Sequence, residues 1–226
     1  MPNRDFLEHL AKRVLLFDGA TGTSLQTQNL TVDDFGGPDL EGCNEYLCIS
    51  KPDAVREVHR GFLEAGADII ETNSFGSASI VLAEYDIADK AYELSKLASQ
   101  IARECADEYS TDERPRFVAG SVGPTTKLPS LGHISFDDMA ASYREHIAGL
   151  IEGGADLLCI ETSQDPLQMK AALYATMDYF ESTGRRIPVI ASVTIEMMGT
   201  MLMGTEISAA LTILEPYDII TLIGMN

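Results

Sequence analysis

Short apolar runs alternate with amphipathic segments along the whole chain, and no other feature constrains the fold as strongly. The runs are nearly continuous in apolar character, as expected of parallel strands covered on both faces. They predict strands at residues 14–18, 68–72, 117–121, 156–161, 188–195 and 218–223. The pattern therefore predicts an α/β fold built on a parallel sheet.

The segments between the runs carry helix start and stop signals. Ser50 and Asp53 form a candidate capping box before a helix that Gly66 would end. Similar start signals are Ser135 with Asp138 and Asp165 with Pro166, and further helices are predicted near residues 91–105 and 208–214. These signals place one helix after almost every strand.

Residues 61–70 (GFLEAGADII) and 149–158 (GLIEGGADLL) repeat one another, and each segment leads into Glu-Thr. Each copy joins a helix end to the next strand, which favours a barrel of like units over a doubly wound sheet. A closed barrel of this kind has eight strands. We therefore expect residues 1–226 to be one incomplete (β/α)8 TIM barrel domain, truncated after about six strands, with the last two βα units absent.

Composition excludes several classes of function. The formal net charge of -19 argues against nucleic acid and anionic lipid, which bind clustered Lys and Arg. No apolar run approaches the roughly 20 residues that span a bilayer. Residues 1–13 are charged and lack the apolar region of a secretory signal, so a cytoplasmic protein is predicted.

The cysteines do not form a metal-binding pattern. Cys43, Cys48, Cys105 and Cys159 contain no CxxC pair and lack finger-like spacing to any histidine. Cys43 and Cys48 would supply only half of a structural zinc site. Reduced, partly buried thiols are the favoured interpretation.

Acidic residues end three of the predicted strands: Asp18, Glu71 and Glu161. In parallel barrels these ends meet at one rim, and no Arg or Lys stands beside them here. A ligand cation would supply the missing partner. The Gly-rich turn at residues 19–23 can aim backbone N–H groups at an anion. The turn and the neighbouring carboxylates together suit an amino acid, which carries both charges. Strand-end acids that cap helices, and a turn without function, remain alternatives.

Five segments together resemble the homocysteine S-methyltransferase family. They are residues 16–23 (LFDGATGT), 65–76 (AGADIIETNSFG), 119–125 (AGSVGPT), 154–162 (GADLLCIET) and 224–226 (GMN). Asn44 and residues 50–52 (SKP) are most similar to the N-terminal, homocysteine-binding module of the cobalamin-dependent methionine synthases. The betaine-dependent branch fits less well.

The resemblance implies a (β/α)8 barrel that binds L-homocysteine. Asp18 and Glu161 would hold its ammonium group, and the backbone of residues 19–23 its carboxylate. The implied substrate-binding set is Asp18, Gly19, Ala20, Thr21, Gly22, Thr23, Asn73, Glu161 and Asn226. No catalytic residue beyond this set is implied.

The resemblance also implies zinc, held in the family by three thiolates that activate the substrate thiol. The first of these cysteines would follow Asn226 directly, so we expect no metal ligand in this chain. Zinc would bind in the complete domain, and methylcobalamin and methyltetrahydrofolate would act through other modules of the same or an associated chain. We predict no methyl transfer by the 226 residues alone.

Other functions stay open. A betaine- or S-methylmethionine-dependent homocysteine methyltransferase is one, and a non-catalytic barrel fragment that binds an amino acid is another. A barrel lyase or aldolase would use a catalytic lysine, and no Lys ends a predicted strand.

Overall fold

The sheet is parallel throughout, and its strands follow one another in chain order. A computed structural model describes residues 5–226, so the first four residues of the charged N-terminal segment lie outside it. Its strands are β1 (Ile69–Glu71), β2 (Phe117–Val122), β3 (Leu157–Ser163), β4 (Val189–Val193) and β5 (Leu222–Met225), paired in that order. Sequential parallel strands joined by outer helices form part of a (β/α) barrel, which confirms the predicted fold class.

Helices connect the strands and cover the outer face of the sheet. They are α1 (Phe6–Leu10), α2 (Thr21–Gln26), α3 (Leu47–Ser50), α4 (Pro52–Ala65), α5 (Ser79–Leu82), α6 (Ala91–Glu108), α7 (Phe136–Gly153), α8 (Pro166–Thr183) and α9 (Ile207–Leu214). Short 3-10 helices lie at Val32–Phe35, Pro38–Leu40, Asn44–Tyr46, Ala83–Tyr85, Ala88–Lys90 and Pro129–Leu131. Within residues 5–226, no helix combines the length and the apolar character needed to cross a membrane.

Two predicted helix starts are confirmed in atomic detail. The Ser135 hydroxyl accepts the Asp138 N–H at 3.1 Å at the start of α7. At the start of α8, Asp165 Oδ1 accepts the Leu167 N–H at 2.8 Å and Pro166 takes the first helical position. These bonds satisfy backbone donors that a helix leaves free at its N-terminus.

The first predicted strand, residues 14–18, is wrong in extent. Only a single parallel bridge forms there, between Phe17 and Ile69. The Asp68 carboxylate accepts the Leu16 N–H at 3.1 Å, and within the described residues the backbone bonds from this segment to β1 are limited to those around the bridge, such as Ile69 N–H to the Leu16 carbonyl at 3.0 Å and Asp18 N–H to the Ile69 carbonyl at 2.9 Å. This segment remains an exposed edge of the sheet, with Leu16 59% exposed.

Two other boundaries also differ from prediction. No side chain caps α4: Lys51 occupies the cap position, and the predicted Ser50 cap is absent. The last strand was predicted at 218–223 and lies at β5 instead. A turn closed by the Ile220 N–H and the Tyr217 carbonyl at 3.0 Å delays its start.

Alternate strand residues divide between the two faces of the sheet. The inner face holds one apolar cluster, formed by Phe6, Leu15, Ile69, Phe117, Ala119, Leu157, Cys159 and Ile190. Phe6 of α1 meets the ring of Phe117 edge-on at 5.6 Å and closes the amino-terminal end. Because side chains alternate with period two, the next inward positions are Glu71, Ser121 and Glu161. The inner face is thus apolar where the strands begin and polar where they end.

The acids that begin the repeated strands have a structural role. Asp68 Oδ2 accepts the Leu16 N–H at 3.1 Å, and Asp156 Oδ2 accepts the Val118 N–H at 2.8 Å. Arginines pair with both acids: Arg13, Arg114 and Arg116 with Asp68, and Arg103 with Asp156. Burial opposes ionisation of Asp68, but hydrogen bonds from Arg13, Leu16 and Arg114 outweigh it and hold the pKa well below its usual range. Each acid ties its strand to the preceding one.

Helices α6 and α7 approach so closely that only glycine fits between them. A Cβ atom on Gly149 would lie 2.6 Å from the Tyr92 carbonyl oxygen, and one on Gly153 would lie 2.4 Å from that of Lys96. Gly61 holds the place of Gly149 in the other copy of the repeat, and its Cβ would meet nothing within 4 Å. The same repeat position is therefore a packing contact in one copy and open in the other.

Candidate functional site

A cavity of about 350 Å³ opens at the carboxyl ends of β1, β2 and β3. Its walls are formed by Gly19, Ala20, Thr21, Gly22, Asn44, Glu45, Glu71, Thr72, Asn73, Ser74, Phe75, Ser121 and Glu161. Three of these residues are acidic, and none of them is Lys, Arg or His. The cavity is therefore suited to a cationic group.

Asp18 directly precedes the lining residue Gly19, although it is not itself among the lining residues. Its Oδ2 atom accepts the Glu71 N–H at 3.0 Å, whereas Oδ1 is buried and has no hydrogen-bond partner in the described part of the chain. Burial raises the pKa of Asp18 to about 7, backbone hydrogen bonds oppose the rise, and the charge of Glu161 adds to it. A buried oxygen without a partner is costly, so a ligand that donates a hydrogen bond would be favoured there.

Glu71 ends β1 next to Asp18. Burial, together with the charges of Glu161 and Asp18, raises its pKa to about 8. The three carboxylates therefore interact electrostatically, although they come from distant parts of the sequence. The first strand segment, β1 and β3 bring them to one rim.

Glu161 is held from two sides. The Ser121 hydroxyl of β2 donates to Oε1 at 2.6 Å, and the Thr162 hydroxyl donates to Oε2 at 3.3 Å. Burial raises the pKa of Glu161, and these two hydrogen bonds work against the rise. Its carboxylate is thus fixed in direction while it remains next to the cavity.

The Gly-rich turn supplies backbone donors on the opposite wall. Helix α2 begins at Thr21, its cap residue is Ala20, and no side chain caps it. The first N–H groups of a helix have no intrahelical partner. A Cβ on Gly19 would lie 3.0 Å from the Phe62 ring, so the turn also packs tightly beneath.

The segment that precedes α3 covers the cavity from the side. The Asn73 side chain donates to the Asn44 carbonyl at 2.7 Å, and the Gly76 N–H donates to Glu45 Oε1 at 2.7 Å. Burial raises the pKa of Glu45. This acid brings a further carboxylate to the cavity wall from the 3-10 helix Asn44–Tyr46.

Residues 15–226 match the sequence profile of the family described as homocysteine S-methyltransferase. The chain belongs to this family. The segments that carried the resemblance all lie within the match.

Curated relatives of this homocysteine S-methyltransferase domain include two methionine synthases. Those of Mycobacterium tuberculosis (strain ATCC 25618 / H37Rv) and Mycobacterium leprae (strain TN) are each 49% identical to it over 222 residues. The alignment covers 98% of this chain and 18% of each relative. The domain therefore corresponds to a small part of those proteins.

Solved structures show the same fold. The metallated form of the homocysteine methyltransferase MmuM from Escherichia coli superposes with a TM-score of 0.80 at 23% identity, covering 99% of this chain and 78% of that one. Its apo form gives 0.73 at 24% identity, covering 96% and 73%. At this level of identity the likeness extends to the fold alone.

Most residues predicted for the homocysteine site border the cavity. Gly19, Ala20, Thr21, Gly22, Asn73 and Glu161 line it, whereas Asp18 is outside the lining and accepts the N–H of the lining residue Glu71. Thr23 and Asn226 are not among the lining residues. Asn226 Nδ2 instead donates to the Thr162 hydroxyl at 3.0 Å, next to Glu161. The substrate-binding role of the whole set stays a prediction.

The predicted substrate-binding set omitted several lining residues: Asn44, Glu45, Glu71, Thr72, Ser74, Phe75 and Ser121. Glu71 was recognised as a strand-end acid, and the period-two alternation would also have indicated Ser121. Glu45 gave no such signal, because it lies in the short 3-10 helix Asn44–Tyr46 rather than at a strand end.

Proposed function

We propose that this domain binds L-homocysteine for methylation to methionine. The ammonium group lies between Asp18 and Glu161, and the carboxylate accepts backbone N–H groups of residues 19–23. Asn73 borders the same cavity. Each charge-assisted hydrogen bond of this kind contributes about 1.5–3 kcal/mol.

The observation that carries the proposal is the unbalanced charge of the cavity. Asp18, Glu71 and Glu161 share one rim. The charge of Glu161 raises the pKa of both Asp18 and Glu71, and no basic side chain lines the cavity. A bound ammonium group supplies the missing positive charge and a donor for the unpartnered Asp18 Oδ1. Family membership favours homocysteine among the amino acids that could do so.

Zinc fits poorly with the residues that this chain provides. Residues 5–226 contain no group of three or more His, Cys, Asp or Glu side chains placed to hold a metal ion. The four cysteines are free and buried, and burial raises the pKa of Cys43 and Cys48 to about 12. A zinc site needs ionised thiolates that converge on one point. No step of the reaction is therefore assigned to zinc here.

The remaining chemistry belongs to partners outside this domain. The relatives from both Mycobacterium species are methionine synthases more than five times its length. In this proposal zinc binds in a complete domain, and methylcobalamin and methyltetrahydrofolate are bound by other modules. The role of the chain itself is then to hold homocysteine. The absence of methyl transfer by the 226 residues alone stays a prediction.

Isothermal titration of the purified chain with L-homocysteine tests the proposal. We expect binding at pH 7.5 (about physiological, where an amino acid carries its ammonium) to weaken at least about tenfold in Glu161→Gln, which removes one charge-assisted hydrogen bond. Glu57→Gln, an exposed position on α4, is the matched control and should bind as the unmodified chain does.

A second ligand isolates the ammonium group. 4-Sulfanylbutanoic acid has the thiol and carboxylate of homocysteine but no amino group, so its binding should be at least about tenfold weaker. Equal affinity for the two ligands, or an unchanged affinity in Glu161→Gln, contradicts the proposed function.

A further inference from the structure

Strand β3 carries one extra residue at the site. Ile160 pairs with Ala191 and Ser163 pairs with Val193, so Glu161 and Thr162 together face one residue of β4. This is a β-bulge, a feature that often lies next to functional sites and redirects a side chain. Its position makes the acid of the proposed ammonium site part of the bulge.

Thr162 has a backbone conformation that its residue type rarely adopts. Its φ angle is 55°, in the left-handed region, and threonine is β-branched. Such a residue persists only where its surroundings fix it, and strain of this kind clusters at functional sites.

The bulge puts two consecutive side chains on the same side of the strand. In a regular strand, neighbours face opposite sides. Here the Thr162 hydroxyl donates to Glu161 Oε2 at 3.3 Å and accepts from Asn226 Nδ2 at 3.0 Å. Asn226 in turn contacts the Thr194 hydroxyl through Oδ1 at 3.4 Å. A chain of polar contacts therefore runs from Glu161 to the ends of β4 and β5.

The same bulge changes the direction of Ser163. Regular alternation from Leu157, Cys159 and Glu161 would point Ser163 inward. Its hydroxyl instead contacts Met169 Sδ of α8 at 3.9 Å, on the outer side of the sheet. The extra residue thus directs the Thr162 side chain to the rim and lets the Ser163 side chain pack against α8 on the outer side of the sheet.

We infer that Thr162 is a positioning residue for homocysteine binding, whose strained conformation aims its hydroxyl at Glu161. The inference rests on the proposed function, because Glu161 is the carboxylate that holds the ammonium group. Ser121 fixes one oxygen of that carboxylate and Thr162 fixes the other. The amino acid then meets a carboxylate already set in direction, rather than one that must be ordered on binding.

Three substitutions at position 162 test this inference by titration with L-homocysteine. Thr162→Ser keeps the hydroxyl and should bind within about twofold of the unmodified chain. Thr162→Val and Thr162→Gly remove it and should bind about fivefold to tenfold more weakly, less than the loss of a direct charge-assisted hydrogen bond because Thr162 acts on the ligand only through Glu161. Glycine adopts positive φ freely, so Thr162→Gly should also unfold at a higher temperature than Thr162→Val.

A double-mutant cycle separates positioning from a general structural role. In the Glu161→Gln background, the valine substitution should change homocysteine affinity by less than about twofold, because its target charge is gone. Full affinity in both Thr162→Val and Thr162→Gly overturns the inference and leaves the proposed function intact. An unmodified chain that does not distinguish L-homocysteine from 4-sulfanylbutanoic acid overturns both.

Discussion

Glu71 makes the empty domain less stable as the pH rises, and replacing it with glutamine should remove most of that loss. The carboxyl ionises near 4.5 in the unfolded chain and near 8 in the folded one. Below pH 4.5 both states are protonated and no penalty exists. Above it the unfolded chain ionises freely while the folded chain keeps the proton, so stability falls until the pH passes the folded pKa.

The size of the effect follows from the two pKa values. One pKa unit corresponds to about 1.4 kcal/mol of differential interaction. Between about pH 6 and about pH 8, Glu71 is ionised in the unfolded chain but mostly protonated in the folded one. The free energy of unfolding should therefore fall by about 2 kcal/mol over this range. Removing its charge also eases ionisation of Asp18 and Glu161, which changes the pH dependence in the same direction.

Urea denaturation at both pH values measures the difference. Glu71→Gln should be about 2 kcal/mol more stable than the unmodified chain at the lower pH and about 4 kcal/mol more stable at the higher one. Glu57→Gln, on the exposed face of α4, should follow the unmodified chain at both. A chain equally stable at the two pH values, or a Glu71→Gln variant with the same loss, would refute the reasoning.

Two further predictions concern packing and charge away from the cavity. Gly149→Ala should destabilise the fold by about 1–3 kcal/mol, because the new Cβ clashes with α6. Its repeat equivalent, Gly61→Ala, should instead stabilise by about 0.5–1 kcal/mol, and thermal unfolding that shows the same sign for both would contradict this. Asp68→Asn should cost about 3 kcal/mol, because it leaves Arg116, whose side chain is only 9% exposed, without its carboxylate. Asp178→Asn breaks a surface pair with Arg144 and should cost less than about 1 kcal/mol in the same urea titration.

The rim acids could be predicted from the sequence because two simple rules locate them. A strand-end residue in a parallel barrel faces the active-site side, and that rule identified Asp18, Glu71 and Glu161. The helix starts at Ser135 and Asp165 could be predicted equally well from local capping chemistry. Each of these features depends on a few neighbouring residues.

The features that escaped prediction depend on contacts that are distant in sequence. Glu45 reaches the cavity because Gly76, 31 residues away, donates to its carboxylate. The bulge at Thr162 could not be predicted from the sequence, because hydrophobic periodicity predicts only regular strands. The first strand is only a bridge, and there the Leu16 N–H is bound by the Asp68 side chain, 52 residues away, rather than by a strand carbonyl.

The repeated strands carry acids at both ends, and those acids respond to opposite pressures. Asp68 and Asp156 hold the strands together through ion pairs. Burial disfavours the ionised forms of Glu71 and Glu161 as long as no ligand cation is bound. A laboratory selection for heat resistance alone would keep the first pair and discard the second. Only a selection that also requires ligand binding would retain all four acids. The acids that are lost first therefore show whether variants were selected for stability alone or for stability and ligand binding together.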